Sequence, residues 1–353
     1  MKFRAAIIAV MLTSLCLTST SALAKDHYKV AWSIYVGWMP WGFAKDSGIV
    51  DKWAKKYGIT IDVVQFNDYV ESINQYTAGA FDACAMTNMD AMTIPAAGGV
   101  DSTALIVGDF SNGNDGILLK GAGKSLADIK GQRVNLVELS VSHYVLARGL
   151  ASAGMSERDV KVVNTSDADI VAAFASNDVT SVVTWNPLLS EIEAMPAVSK
   201  VFDSASIPGE IIDMLVVNSA TLEADPRLGK ALSGAWYETM ALMAGDDDAA
   251  KAAKSQMAAA SGTDLAGFNA QLDATRMFYD AAAAAKFARS ADIITTMKNV
   301  AEFSFAHGLL GDGAPDSGYI GVEFPGGVVA GSKTNVKLRF NATYMDMAAQ
   351  GKL

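Results

Sequence analysis

The chain is poor in cysteine, histidine and basic charge. Its 353 residues include 2 cysteines and 3 histidines, and 28 Lys and Arg stand against 38 Asp and Glu, for a formal net charge of -10. So few cysteines exclude a disulfide scaffold. The acidic balance excludes a nucleic-acid binder, whose phosphate contacts need a basic face, and it does not suit an anionic membrane surface. No H-E-x-x-H zinc pattern, G-x-S-x-G elbow or Walker A loop is present. Gly121-Ala122-Gly123-Lys124-Ser125 has only the end of a Walker loop and leads into a short turn, so it reads as a surface linker. What the chain does have is apolar content. At 51% hydrophobic and 19% charged it is neither disordered nor collagen-like, and it can bury the cores of two ordinary domains.

Residues 1–24 read as a secretory signal. Lys2 and Arg4 supply the positive start, an apolar stretch runs from Ala5 to about Leu17, and Ala22-Leu23-Ala24 is a small-x-small cleavage site. The apolar stretch falls short of the ~20 residues that span a bilayer. Leu15 before Cys16 does not fit a lipoprotein site, and no later stretch is long and apolar enough to span. Cleavage after Ala24 implies a periplasmic protein. It removes two of the 28 basic residues and none of the 38 acidic ones, so the net charge moves from -10 to -12. It also removes Cys16 and leaves Cys84, in the apolar run Phe81–Met86, as a small buried core residue without a disulfide partner.

The remaining chain alternates strands and helices. Tyr28–Ile34, Ile59–Phe66 and Phe81–Met86 read as strands, with helices over Phe43–Tyr57 and Tyr69–Gly79 between them. Strand signals continue at Thr103–Val107 and Gly116–Leu119. A second block has a helical turn at Ser125–Ile129, strands at Arg133–Val137, Val160–Val163 and Ser181–Thr184, and helices at Tyr144–Ala153 and Ala168–Ala175. Ile211–Asn218 reads as a strand returning to the first block, and Pro226–Phe305 as helical. Asp246-Asp247-Asp248 suits a solvated helix start. The glycine-rich segment after Gly308 has no clear assignment, and no internal repeat is present.

Several short motifs follow in order. Gly48-Ile49-Val50-Asp51-Lys52-Trp53, Ala78-Gly79-Ala80-Phe81-Asp82-Ala83, the run from Ser125-Leu126-Ala127-Asp128 to Arg133-Val134, Ser142-His143-Tyr144-Val145-Leu146 and Thr184-Trp185-Asn186-Pro187 span roughly Tyr28–Asn218. Together they resemble the substrate-binding proteins of ABC importers, in the branch that handles nitrate, sulfonates, taurine and thiamine precursors. Within it the chain is similar to members encoded near urea carboxylases, some of whose neighbouring carboxylases prefer guanidine. The resemblance implies an α/β, two-lobed periplasmic binding protein of type II-like architecture. Each lobe would be an open, mostly parallel sheet flanked by helices, and two crossovers would join them. Lobe 1 is expected over residues 25–112 plus 215–305, lobe 2 over 113–214, and a C-terminal extension over 306–353. A monomer that passes a small-molecule ligand to ABC permease subunits is implied, without cofactor, metal or catalysis. A clamp docking on a membrane receptor instead would look the same in sequence.

Open α/β sheets bind ligands beyond the carboxyl ends of their strands, so those positions hold the candidate site residues. After the first strand, Tyr35 and Trp38 could wall a flat or cationic ligand, whereas Trp41 also suits a staple onto the next helix. Asp68 reads as a helix N-cap. Asn88 and Asp90 follow the third strand, with Asp90 either a cap or a pocket contact. In lobe 2 the turn Glu138-Leu139-Ser140-Val141-Ser142 lies where anion-binding relatives grip sulfonate or nitrate with backbone N–H groups. Glu138 would repel such an anion or occupy those donors itself, unless it points to solvent. Ser140 could donate to a urea-like ligand, Trp185 could stack on it, and Asp213, inside an apolar strand, needs a cationic partner. These carboxylates and aromatic walls suit guanidinium, a planar cation that pairs in bidentate fashion with carboxylates, or a urea-like compound. Taurine or another sulfonate, nitrate and a thiamine precursor are the alternatives. A thiamine-pyrimidine-synthase-like enzyme is disfavoured, because related synthases use a cysteine-rich segment and an active-site histidine. His143 fits the cleft rim or a local cap better.

Overall fold

The structure is a computed structural model that describes residues 25–353, so the expected signal segment 1–24 lies outside the described residues. The strands, in chain order, are β1 (His27–Ser33), β2 (Thr60–Phe66), β3 (Ala83–Thr87), β4 (Ser102–Ser111), β5 (Asp115–Lys120), β6 (Arg133–Leu136), β7 (Lys161–Asn164), β8 (Ser181–Trp185), β9 (Val198–Asp203), β10 (Ile212–Asn218), β11 (Thr275–Met277), β12 (Gly321–Phe324), β13 (Val328–Ala330) and β14 (Val336–Phe340). They form two sheets. One has the order β13-β12-β14-β4-β10-β3-β1-β2, with β11 paired to β4, and the other has the order β7-β6-β8-β5-β9.

The α/β class is as expected, and both sheets are mixed. β1 runs parallel to β2 and β3, but β10 runs antiparallel to both β3 and β4, and β5 antiparallel to β8 and β9. The strands that carry the chain between sheets, β4, β5, β9 and β10, all take part in antiparallel pairs. The chain leaves the first sheet at the end of β4, enters the second at β5 after three intervening residues, and returns from β9 to β10. The two crossings touch where the hydroxyls of Ser111 and Ser204 pair at 2.7 Å. Central strands β3 and β10 are buried along nearly their whole length, as expected where helices cover both faces.

Local chemistry explains the differences from the sequence reading. The helix expected over Phe43–Tyr57 is two helices, Met39–Asp46 and Ile49–Lys56. Gly48 between them adopts a left-handed conformation (φ 78°), open to glycine and ending the first helix. The segment Pro226–Phe305 holds helices Pro226–Met243, Asp248–Ala260, Leu265–Asp273 and Ala281–Phe287, and most of Ala291–Ala306, with the short β11 among them. Asp247 caps the second of these through the amide of Ala250. The C-terminal segment that carried no assignment adds β12, β13 and β14 to the edge of the first sheet, where β14 pairs with β4. Cys84 is fully buried in β3, and burial pushes its thiol up to about 12.

One helix contact tests the packing of the first lobe. Helix Ile49–Lys56 lies on helix Pro226–Met243, with the Trp53 ring against Gly234, and Trp53 Nε1 donates to Glu238 Oε2 at 2.7 Å. A Cβ at Gly234 would overlap that anchored ring. Gly234→Ala is expected to destabilise by roughly 1–3 kcal/mol through overpacking, more than the ~1 kcal/mol gained in helix propensity. Denaturant unfolding of the two proteins checks this.

Candidate functional site

A small cavity lies between the two sheets. Tyr35, Trp38, Tyr69 and Trp185 form its aromatic wall, and Asp115 and Asp213 line it with carboxylates. Thr87, Val141 and Ile211 complete the lining. The rings form a chain: Tyr35 to Trp38 at 5.1 Å, Trp38 to Tyr69 at 5.4 Å and Tyr69 to Trp185 at 5.6 Å between centroids. Trp185 comes from the second sheet and donates from Nε1 to the carbonyl of Ile34 at 3.3 Å. The amide of Val36 also donates to the carbonyl of Asn186. The wall is therefore shared by both lobes.

The carboxylates dominate the electrostatics. Asp109 on β4 and Asp213 on β10 face each other in register. The Tyr35 hydroxyl donates to Asp109 Oδ1 at 3.0 Å. Gly37 makes room for this pair, since a Cβ there would overlap Asp109 Oδ2. Asp115, at the start of β5, has its amide bonded to Ser111 Oγ at 3.2 Å. Asp90 Oδ2 accepts from the Tyr69 hydroxyl and from Thr87 Oγ1, each at 2.8 Å. Asp90 also faces the amide of Val141, the first residue of helix Val141–Ser152 in the second lobe. Three buried oxygens, Asp90 Oδ1, Asp109 Oδ2 and Asp213 Oδ2, have no hydrogen-bond partner. Among the described residues no Lys, Arg or His lies within 4.0 Å of any of these four carboxylates.

Burial without a cation disfavours the charged form. It pushes Asp115 up to about 7 and Asp90 up to about 6, against the hydrogen bonds each accepts. Asp213 lies well above the ordinary carboxylate range, through burial first and then the charges of Asp109 and Asp115. Asp109 is also raised by burial.

Of the residues singled out from sequence, Tyr35, Trp38, Trp185 and Asp213 line the cavity, and Asp90 sits behind Tyr69 and Thr87. The partner expected for Asp213 is not a protein cation but a second carboxylate. Glu138 does not join the site. It is exposed, its amide donates to Asn164 Oδ1, and Leu139 turns the chain in a left-handed conformation (φ 63°). Asn88 is structural: its amide group ties the carbonyl of Glu210 and the amide of Ile212. Ser140 caps its own helix, accepting from the amide of Ser142 while donating to the carbonyl of Val137. Asp68 caps helix Tyr69–Thr77 through the amide of Glu71. Trp41 is buried against Trp236 at 5.1 Å. Tyr69, Asp109 and Asp115 were not picked out from sequence. Asp109 and Asp115 flank the crossing between β4 and β5, just outside the apolar runs that marked those strands.

His143 lies outside the cavity lining. Its ligand atom, that of Glu157 and that of His307 lie within 4.8 Å of one another. His143 Nδ1 accepts from the amide of Leu139 at 3.1 Å, so Nε2 carries the ring proton and faces Glu157. A nitrogen so committed has no lone pair for a metal. The cluster instead ties helix Ala291–Ala306, through His307, to the second lobe.

The chain belongs to the family described as NMT1/THI5 like, which it matches over residues 51–250. It is 28% identical over 139 residues to a protein of Brucella abortus strain 2308 named as a binding protein, covering 39% of this chain and 42% of that one. The chain thus matches about two-fifths of that relative's length. It is 21% identical over 194 residues to the taurine-binding periplasmic protein of Escherichia coli K12, covering 54% and 59% of the two chains. Its fold is similar to that of the alkanesulfonate-binding protein SsuA of Xanthomonas axonopodis pv. citri bound to MOPS. That likeness has a TM-score of 0.67 at 18% identity and covers 82% of this chain and 96% of the other. The nitrate-binding protein NrtA of Synechocystis PCC 6803 is similar with a TM-score of 0.65 at 12% identity, covering 93% and 89%.

The raised carboxylates fix the pH dependence of the ligand-free protein. A carboxyl whose folded pKa is raised contributes stability below its unfolded value, near 4, and that contribution is lost as pH rises through the folded value. For Asp90 and Asp115 the window is therefore about pH 4 to 7. The melting temperature of the ligand-free protein is expected to fall by several degrees between pH 5 and pH 8. In Asp115→Asn the fall is expected to be shallower, as thermal melts across that range would show.

Proposed function

We propose that the protein is a periplasmic solute-binding protein that encloses a small nitrogen-rich ligand, guanidinium first, between its lobes and delivers it to an ABC permease. The single observation carrying the ligand class is the group of buried carboxylates, Asp109, Asp115 and Asp213, at the cavity with no cation beside them among the described residues. A guanidinium ion carries donors all round its plane and a positive charge, and its faces can stack on tryptophan. It supplies the charge and the donors that these carboxylates lack. The same feature weighs against taurine, sulfonates and nitrate. In this chain the amide end of helix Val141–Ser152, a natural anion site, faces the lobe-1 carboxylate of Asp90. The binding and transport role draws support from family membership and from relatives named as binding proteins. The motif resemblance to urea-carboxylase-linked members agrees with a nitrogen-rich ligand, and the signal-like segment 1–24 with export.

Urea is a second reading, favoured by one observation. Trp38 lines the cavity and its buried Nε1–H has no acceptor. A urea carbonyl could accept from it, whereas guanidinium has no acceptor to offer.

Calorimetry of the full mature chain at pH 8 against guanidinium chloride, urea, taurine and nitrate, at concentrations well below denaturing, tests both readings. Guanidinium is expected to bind one to one, with taurine and nitrate silent. Asp213→Asn is expected to weaken guanidinium by about 10- to 100-fold, the scale of a lost charge-assisted hydrogen bond. Tight taurine or nitrate binding with no response to guanidinium or urea would overturn the proposal.

A further inference from the structure

The two carboxylates at the centre of the first sheet do more than offer negative charge. We propose that Asp109 and Asp213 act as one proton-sharing unit which surrenders its proton when a cationic ligand enters, so that capture is a cation-for-proton exchange. This rests on the cation reading of the same cavity.

The geometry leaves few choices for the pair. Asp109 and Asp213 are register partners on adjacent antiparallel strands, and both are buried. Directly opposed on adjacent strands, their side chains stand side by side on one face of the sheet. Two ionised carboxylates so placed would offer only acceptors and repel, whereas a proton held by one of them lets it donate to the other. The Tyr35 hydroxyl supplies a donor to Asp109 Oδ1 but no charge. The other titratable groups acting on the pair are Asp115 from β5 and Tyr279, which follows β11. Neither is a cation, so among the described residues no protein group balances a second negative charge. Asp109 Oδ2 and Asp213 Oδ2 remain without partners, and Asp213 lines the cavity.

A cation changes the balance. The carboxyl O–H breaks, the proton leaves to solvent, and the freed carboxylate pairs with the ligand's N–H groups. Charge is conserved, because one positive charge enters as one leaves. A neutral ligand displaces no proton. By linkage, release of one proton makes cation affinity rise tenfold per pH unit where the empty unit is protonated, while urea affinity stays flat. The unit therefore sets selectivity between a cation and its neutral analogue, and pH tunes it.

The test is calorimetry with guanidinium chloride and urea between pH 5 and 8, in buffers of different ionisation enthalpy, which counts released protons. The wild-type protein is expected to release close to one proton per guanidinium at pH 6 and none per urea. Asp109→Asn should lose more than half of that release, and Asp115→Asn should keep more than half. Guanidinium binding with no proton release and a flat pH profile would overturn the exchange while leaving the cation reading intact. Release lost in Asp115→Asn and retained in Asp109→Asn would overturn the assignment to this pair. Absence of guanidinium binding at every pH would overturn both the exchange and the cation reading. If Asp109→Asn does not fold, the proton count of the wild-type protein still decides between exchange and none.

Discussion

The pairing of β4 with β10 is the constraint on which the site depends. These strands are neighbours in the middle of the first sheet, and each also carries the chain to or from the second lobe. Their antiparallel register sets Asp109 beside Asp213, at the end of the sheet that faces the other lobe. A one-residue slip would turn one of the two to the opposite face, and the carboxyl pair would be lost. The sheet thus fixes the spacing of the two acids, and the crossing after β4 brings in the third, Asp115.

Closure of the lobes completes what the sheet begins. Trp185 reaches back to the carbonyl of Ile34, Tyr69 has its amide on Asp167 of the second lobe, and Asp90 faces the start of helix Val141–Ser152. Each contact pairs a group near the cavity wall with a backbone or helix terminus across the cleft. Opening would expose the aromatic wall and release the carboxylates to water, which lowers the cost of their charge. The enclosed form is then costly when the acids are ionised and empty. A cation inside reverses that sign.

The sequence carried the alternation of elements because most strands are short apolar runs bounded by turns, and the motifs fixed their order. Boundaries suffered where one residue decides them, as at Gly48. Tyr35, Trp38, Trp185 and Asp213 were legible because they sit at or within strand ends with unusual side chains. Asp109 and Asp115 were not, since polar residues at the ends of apolar runs are ordinary in sequence and acquire meaning only when β4, β5 and β10 converge. Glu138 was misleading for a related reason. Its position in the turn was right, but the left-handed residue after it turns the chain so that the side chain reaches solvent. The acid that faces the helix terminus, Asp90, comes from the other lobe, and no local pattern in the helix's own turn can report it.

On the cation reading proposed above, the sign of the ligand's charge is decided across the cleft rather than within one lobe. A helix N-terminus with free amides attracts an anion whatever fold supports it. In this protein the opposing lobe presents Asp90 to that terminus, so the positive end of the helix is already answered by a protein carboxylate. Asp115 and Asp213 then line a space beside which no positive group stands among the described residues, walled by rings whose faces favour cations. Two lobes with unchanged topology can serve anions or cations, because only a few residues on facing strand ends set the charge between them. The acidic excess of the whole chain has little to do with this, since most of its carboxylates are exposed or ion-paired and only the buried, unpaired ones bear on the ligand.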